Sequence, residues 1–327
     1  MTANKPTTIL RTAAGSAPSV TQYNVFRQLG LRVVAVDSDP LSVGFAFANA
    51  AYTMPPVATE QYFDTLIEIC RRERVDWILP ALDEELLTLA RRRAELEAAG
   101  TRLLSSPLES LEICVDKLAT HASFCRNGIP TPATWEPGAS PLTDFPVIVK
   151  PRRGRGSTGV YLARNARELD FFTSYVCEPI VQEFMTGREM TIDVLADFNS
   201  DPLFIRPRYR LKTDSGISYK GAVAEHGEAV GWVKEIVRSM GLFGPVNIQC
   251  FVDQCDRVWF TEINARLAGS VALTFEADPA FACSLVSLLK GGSPVPSSTS
   301  AKPLIMLRYW SEIYLDAAQA HDLCMHL

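Results

Sequence analysis

Glu262, Asn264 and Arg266 stand at alternate positions in the run TEINARLAG. In an extended strand, residues two apart share a face, so a carboxylate, an amide oxygen and a guanidinium point one way while Thr261 and Ile263 point the other. Gln249, in the neighbouring run VNIQCFV, joins them across a tight turn at Asp253 to Asp256. Oxygen-only ligands of this kind suit Mg2+, which takes few protein groups and completes its octahedron from phosphates and water. Arg266 suits the charge that develops on a transferring phosphoryl group or an acyl phosphate. Taken alone, Glu262 and Asn264 also fit the solvated face of an edge hairpin.

The stretch VIVKPRRGRGSTGVYLA carries Gly154, Gly156 and Gly159 in the pattern G-x-G-x-x-G. A dinucleotide site would need a helix after those glycines, and the run VYLA reads as a second strand. The stretch is therefore a β-hairpin with a glycine-rich tip, whose free N–H groups suit a phosphate. Lys150 ends the strand that enters it, and Lys117 opens the preceding helix, giving two cations that could face a polyphosphate. Either lysine alone reads as surface charge. Further on, QEFMTGRE places backbone groups of Glu183 and Met185 at a domain junction, with Glu189 able to accept from ribose hydroxyls.

These groups need elements to hold them. Short apolar runs at Thr8–Thr12, Leu31–Asp37, Ala51–Met54 and Trp77–Pro80 alternate with helical stretches at Ser19–Leu29, Tyr62–Arg74 and Glu84–Ala98. That alternation means βαβ units on a parallel sheet, so residues 1–113 are expected to form a Rossmann-like domain. Its crevice should lie at the carboxyl ends of the strands, where Gly15, Ser16, Asp37, Asp83 and Glu84 fall. Asp37 could hold a nicotinamide ribose, but the first turn has one glycine where that fingerprint wants three. Asp83 and Glu84 equally suit a helix N-cap and first turn. Residues 114–184 are expected to form a small subdomain around the glycine hairpin, and 185–292 a larger one. In residues 293–327 a linker, a last strand LIMLRYW and a helical tail are expected. The segment RPRYRLKTDSGISYKG reads as another hairpin, with Arg206, Arg208, Arg210 and Lys212 on one face and Lys220 after the turn. Arginine forks suit carboxylates, which makes Arg208, Arg210 and Lys220 candidate substrate residues; a solvated cationic face is the alternative.

Composition excludes several classes. Across 327 residues the formal charge is −5, which argues against a general nucleic-acid binder. No apolar run approaches a membrane span and the start MTANKPTT has no signal-peptide core, so a cytoplasmic protein without membrane partners is expected. Eight scattered cysteines form no C-x-x-C pair, which signals neither a zinc knuckle nor a disulfide framework. With four histidines, two of them in the last seven residues, carboxylate, amide, lysine and arginine groups must carry any reaction.

In order, spacing and flanking strands, TILRTAAGS, the Asp116–Lys117 pair, VIVKPRRGRGSTGV, VQEFMTGRE, NIQ and TEINARLAG together resemble the ATP-grasp superfamily. Within it these runs look most like the branch of the carbamoyl phosphate synthetase large subunit and related carboxylate-amine ligases. The resemblance implies a Rossmann-like pre-ATP-grasp domain followed by a two-subdomain ATP-grasp fold, α/β overall and α+β in the catalytic part. It implies that Lys117 and Lys150 bind ATP phosphates under a lid comprising Arg152, Gly154, Gly156, Ser157 and Thr158. Glu183 and Met185 would meet adenine through main-chain groups beside Gln182, and Glu189 would hold the ribose. Gln249, Glu262 and Asn264 would coordinate Mg2+, or Mn2+ in its place, and Arg266 would stabilise an acyl phosphate. By the resemblance, many relatives have glutamate where Gln249 stands whereas the carbamoyl phosphate synthetase type tolerates glutamine, and the loss of one negative charge makes weaker binding of one metal ion the expectation. The spacing from Gln249 to Glu262 is one residue longer than in near relatives, with the extra residue expected in the turn DQCD. The implied activity is ATP-dependent activation of a small carboxylate, an amino or hydroxy acid, and its joining to an amine. Arg208, Arg210, Lys220, Asp83 and Ser16 are the candidate substrate contacts, and a homodimer is compatible with the resemblance. The alternative is an ATP-binding protein that does not ligate, acting as a regulator or as one subunit of a carbamoyl-phosphate-type assembly.

Overall fold

The computed structural model describes residues 5–139, 144–214, 216–296 and 300–316. The chain divides into two compact units, one built from Met1–Ser105, Gly269–Lys302 and Leu307–Leu327, the other from Ser106–Ala268 and Pro303–Met306.

The first unit centres on five parallel strands, β1 (Thr8–Arg11), β2 (Arg32–Asp37), β3 (Ala50–Thr53), β4 (Trp77–Leu79) and β5 (Arg102–Leu103), in the order β3-β2-β1-β4-β5. β1 and the middle of β2 are buried throughout, as strands covered on both faces require. The helix Gln61–Glu73 buries Tyr62, Phe63, Leu66, Ile67, Ile69 and Cys70, a stripe at helical spacing, and closes at Arg74 in the left-handed region. The expected helix Glu84–Ala98 is two helices, Asp83–Arg91 and Arg93–Ala98.

Two later helices, Ala272–Ala277 and Pro279–Leu289, complete this unit. The indole Nε1 of Trp77 donates to Leu289 O at 2.9 Å, Lys290 Nζ donates to Leu29 O at 3.0 Å, and the Phe26 ring meets Phe275 edge-on. Residues 269–292, expected to continue the larger ATP-grasp subdomain, thus group with the N-terminal strands. The strand expected at LIMLRYW is confined to Ile305–Leu307, and residues 308–316 are not helical. The rest of the expected helical tail lies outside the described residues.

The second unit holds two antiparallel sheets. The smaller comprises β6 (Thr134–Trp135), β7 (Val147–Pro151), β8 (Tyr161–Ala163) and β9 (Pro179–Glu183), in the order β6-β9-β7-β8. Val147, Val149, Ala163, Val176 and Val181 form its core, with the helix Ala166–Tyr175 alongside β8. The larger comprises β10 (Arg188–Ala196), β11 (Pro202–Asp214), β12 (Ile217–Val223), β13 (Gly244–Val252), β14 (Val258–Asn264) and β15 (Ile305–Leu307), in the order β14-β13-β10-β11-β12-β15. Among the described residues no helix is long and apolar enough to cross a membrane.

Candidate active site

One face of the larger sheet brings together the residues expected to bind metal. Across the strands, Thr191 on β10 lies opposite Gln249 on β13, which lies opposite Glu262 on β14. The next row is Asp193, Asn247 and Asn264. Asn264 Nδ2 donates to Glu262 Oε1 at 3.2 Å and Arg266 Nη2 donates to Asn264 Oδ1 at 3.1 Å, so carboxylate, amide and guanidinium form one chain of contacts.

A β-bulge makes that face possible. Gln249 pairs with Glu262 but Cys250 pairs with Phe260, leaving Thr261 as the extra residue, its hydroxyl donating to Gln249 O at 3.2 Å. In an unbroken strand Phe260 and Glu262 would share a side. The bulge reverses the alternation, so Val258 and Phe260 enter the core, where Phe260 meets Phe124, while Glu262 and Asn264 stay partly exposed. The strand thus takes up one more residue on β14 than on β13, next to the carboxylate.

Lys150 lies in the same unit. It is buried, and its Nζ donates to Gln182 Oε1 at 2.8 Å, whose Nε2 donates to Thr134 Oγ1 at 2.8 Å. Burial pulls its pKa down to about 8, Glu262 opposing the shift and Lys117 adding to it. Lys117 Nζ donates to Gly154 O at 2.8 Å and its backbone N to Arg152 O at 3.0 Å, which ties the base of the glycine hairpin to the helix Lys117–Arg126.

Asp116 completes this anchorage. It caps the helix by accepting from Leu118 N and Ala119 N, each at 3.1 Å, and it also accepts from Arg152 Nε at 2.8 Å and Arg153 Nη2 at 2.9 Å. Burial alone would raise its pKa, but the Arg152 and backbone hydrogen bonds hold it below the ordinary carboxylate value. Arg152, expected among the phosphate ligands, is turned toward Asp116 and Glu136 instead and fixes the hairpin base. At the tip, Gly154, Gly156 and Ser157 have positive φ, and Thr158 N donates weakly to Arg155 O at 3.4 Å. A Cβ on Gly216, in the turn between β11 and β12, would come within 2.6 Å of Gly156 Cα, so the two loops touch through glycines.

Glu183 ends β9, its backbone N donating to Ala133 O and its carboxylate accepting from Ala133 N. Met185 follows in the short connection to β10, and Glu189 lies near the start of that strand. Gly187 in this connection could not be another residue: a Cβ there would sit 2.3 Å from Val252 O.

The substrate residues expected on β11 prove to be internal. Arg208 is 1% exposed and its Nε and Nη2 bond both oxygens of Asp193, at 2.8 and 3.0 Å. Arg210 donates to Gln249 Oε1 at 2.7 Å and Gly216 O at 2.8 Å, and lies 3.4 Å from Glu189. A bulge between Arg210 and Lys212 also breaks the single cationic face, and Lys220 is exposed opposite Lys212. Ser16 and Asp83 belong to the first unit, Ser16 in the turn after β1 and Asp83 at the start of its helix. Asp37 is also committed there, accepting from Gly15 N at 2.7 Å and Asp39 N at 3.0 Å, which removes the residue on which a nicotinamide reading rested.

Asn247 and Asp193 are site-face residues that the sequence reading passed over. Asn247 donates to Thr191 Oγ1 at 2.6 Å and Asp193 Oδ1 at 3.2 Å, linking the Arg208 pair to the row that contains Asn264. Their signal was the period of two: Asn247 stands two before Gln249, and Asp193 two after Thr191.

One unit thus holds a glycine-tipped hairpin, a buried lysine at its base and a sheet face bearing Glu262 and Asn264 with Arg266 following. Residues 114–270 match the family described as ATP-grasp domain, and residues 9–104 the PylC-like N-terminal domain, so the chain carries an ATP-grasp domain. It is 26% identical over 184 residues to D-alanine--D-alanine ligase of Fusobacterium nucleatum subsp. nucleatum, covering 53% of this chain and 63% of that protein. It is 24% identical over 288 residues to the carbamoyl phosphate synthase large chain of Clavibacter michiganensis subsp. michiganensis, covering 77% of this chain and 26% of that one. The crystal structure of N5-carboxyaminoimidazole synthetase from Staphylococcus aureus complexed with ADP superposes with a TM-score of 0.74 at 17% identity, over 93% of this chain and 82% of that chain. The matches thus span from about a quarter to under two thirds of the length of the curated relatives.

Proposed function

We propose that this chain is an ATP-dependent carboxylate-amine ligase. The observation that carries the reading is the contact chain Glu262–Asn264–Arg266 on the sheet face, in the same unit as buried Lys150. A carboxylate substrate is already ionised, so its attack on the γ-phosphate of ATP needs positioning and charge stabilisation more than a general base. Lys150 and Lys117 would hold the phosphates, with backbone N–H groups of residues 154–158 closing over them. Glu183 and Met185 would offer main-chain groups to adenine, and Glu189 would hold the ribose.

The Glu262 carboxylate supplies hard oxygen that fits Mg2+, which would neutralise phosphate charge there. The two amides fit less well, because Arg210 already donates to the Gln249 oxygen and Arg266 to that of Asn264. Arg266 would steady the acyl phosphate until an amine displaces phosphate, and the hairpin would keep water from it. The substrates are a small carboxylate, such as an amino or hydroxy acid, and an amine.

The test is release of ADP and phosphate from Mg-ATP in the presence of pools of amino acids and small carboxylic acids. Release that depends on one acid and disappears in Glu262→Ala supports the ligase. Tight ATP binding with no release in any pool refutes it.

A further inference from the structure

Arg210 and Gln249 form a pair whose chemistry departs from that of a metal-binding position. Arg210 starts on β11, two strands away from Gln249 on β13, and its side chain crosses β10 to reach it. Three acceptors hold the guanidinium: Gln249 Oε1 at 2.7 Å, Gly216 O at 2.8 Å and Glu189 Oε2 at 3.4 Å. Its side chain is only 9% exposed. A guanidinium keeps its proton at every accessible pH and has no acceptor, so the amide must turn its oxygen toward Arg210 and its NH2 away.

That orientation leaves Gln249 a poor metal ligand. The amide nitrogen repels cations, and the oxygen already serves a full positive charge. An oxygen bound to Mg2+ at about 2.0–2.1 Å while also accepting from Arg210 would bring a dication and a guanidinium onto one atom. The neutral amide suits this arrangement: it accepts from Arg210 without adding the negative charge that would draw in an ion.

We propose that Arg210, locked by Gln249, provides a fixed side-chain cation where a second divalent ion would otherwise sit, so that nucleotide binds here with one divalent ion, on the Glu262 carboxylate. This rests on the nucleotide reading above. It also gives Arg210 a positioning task, since the same guanidinium holds Gly216, against which the tip of the glycine hairpin lies at Gly156.

The experiment counts metal ions. The full chain is saturated with a non-hydrolysable ATP analogue, titrated with Mn2+, and bound Mn2+ is read from the loss of the free-ion signal in electron paramagnetic resonance. Analogue affinity is measured in parallel with a fluorescent nucleotide. One Mn2+ per bound nucleotide in the wild type, and two in the double variant Arg210→Met with Gln249→Glu, is the expected result. Two ions of affinity within tenfold of each other in the wild type would overturn the proposal whatever the variant does. A double variant that binds nucleotide normally but still takes one ion would also overturn it. No nucleotide binding by the wild type would instead overturn the ligase reading, and this inference with it.

Discussion

Lys150 gives the sharpest quantitative test. Its pKa of about 8 lies below the ordinary lysine value of 10.5, so between those two pH values the unfolded chain binds more protons than the native one. Stability should therefore rise with pH across that window, because below it the native state bears the cost of a buried ammonium. At 1.36 kcal/mol per pKa unit, that cost is about 3 kcal/mol, and it is recovered as pH climbs toward 10.5. A polyphosphate needs the charged lysine, so nucleotide binding should move the opposite way. At pH 9 only about one lysine in ten keeps its proton, and affinity should be about tenfold weaker than at pH 7. Fluorescent-nucleotide titrations and urea unfolding at pH 7.5 and 9.5, on the wild type, Lys150→Arg and Lys150→Met, measure both effects. Lys150→Arg should bind with little pH dependence, and Lys150→Met should lose the lysine-dependent part of the stability slope. Nucleotide affinity that stays level from pH 7.5 to 9 in the wild type, or an unchanged stability slope in Lys150→Met, would refute the reasoning.

Other positions carry independent expectations. Asp193→Ala leaves Arg208 buried without its carboxylate and should cost about 3–5 kcal/mol in urea unfolding, whereas Asp193→Leu with Arg208→Met should recover much of it. Asp116→Ala removes a helix cap and the anchor of two hairpin arginines; a loss of about 1–2 kcal/mol in thermal unfolding should accompany a raised KM for ATP. Gly216→Ala forces a Cβ against Gly156 at positive φ, so a several-fold weaker nucleotide affinity, read by fluorescence titration, should outweigh a stability loss of about 1 kcal/mol.

Much of the fold was legible because it is written in local periods. The βαβ alternation marked the parallel sheet, and the placement of Gly154 and Gly156 between two apolar runs marked a hairpin. Glu262 and Asn264 share a face as their spacing implies, yet the bulge at Thr261 could not be read, because spacing alone does not say whether an extra residue sits in a turn or a strand. The arginines of β11 were misread for a related reason. Alternation tells which residues share a face but not what lies opposite, and only pairing across strands brings Asp193 to Arg208 and Gln249 to Arg210. Asp37 and Arg152 show the same limit: a charged residue at the edge of a crevice is available to a ligand only if the surrounding loop has not already bound it.

The return of residues 269–302 to the first unit has a consequence for synthesis on the ribosome. The amino-terminal strands emerge first, but Trp77 and Phe26 meet Leu289 and Phe275 only after residues 106–268 of the other unit have been made. Residues 106–268 can make most of their contacts while the beginning still waits for its last helices, with apolar surface uncovered over nearly two hundred residues of translation. The half that starts first is thus the half that finishes last, which makes it the part of the nascent chain most in need of protection from aggregation.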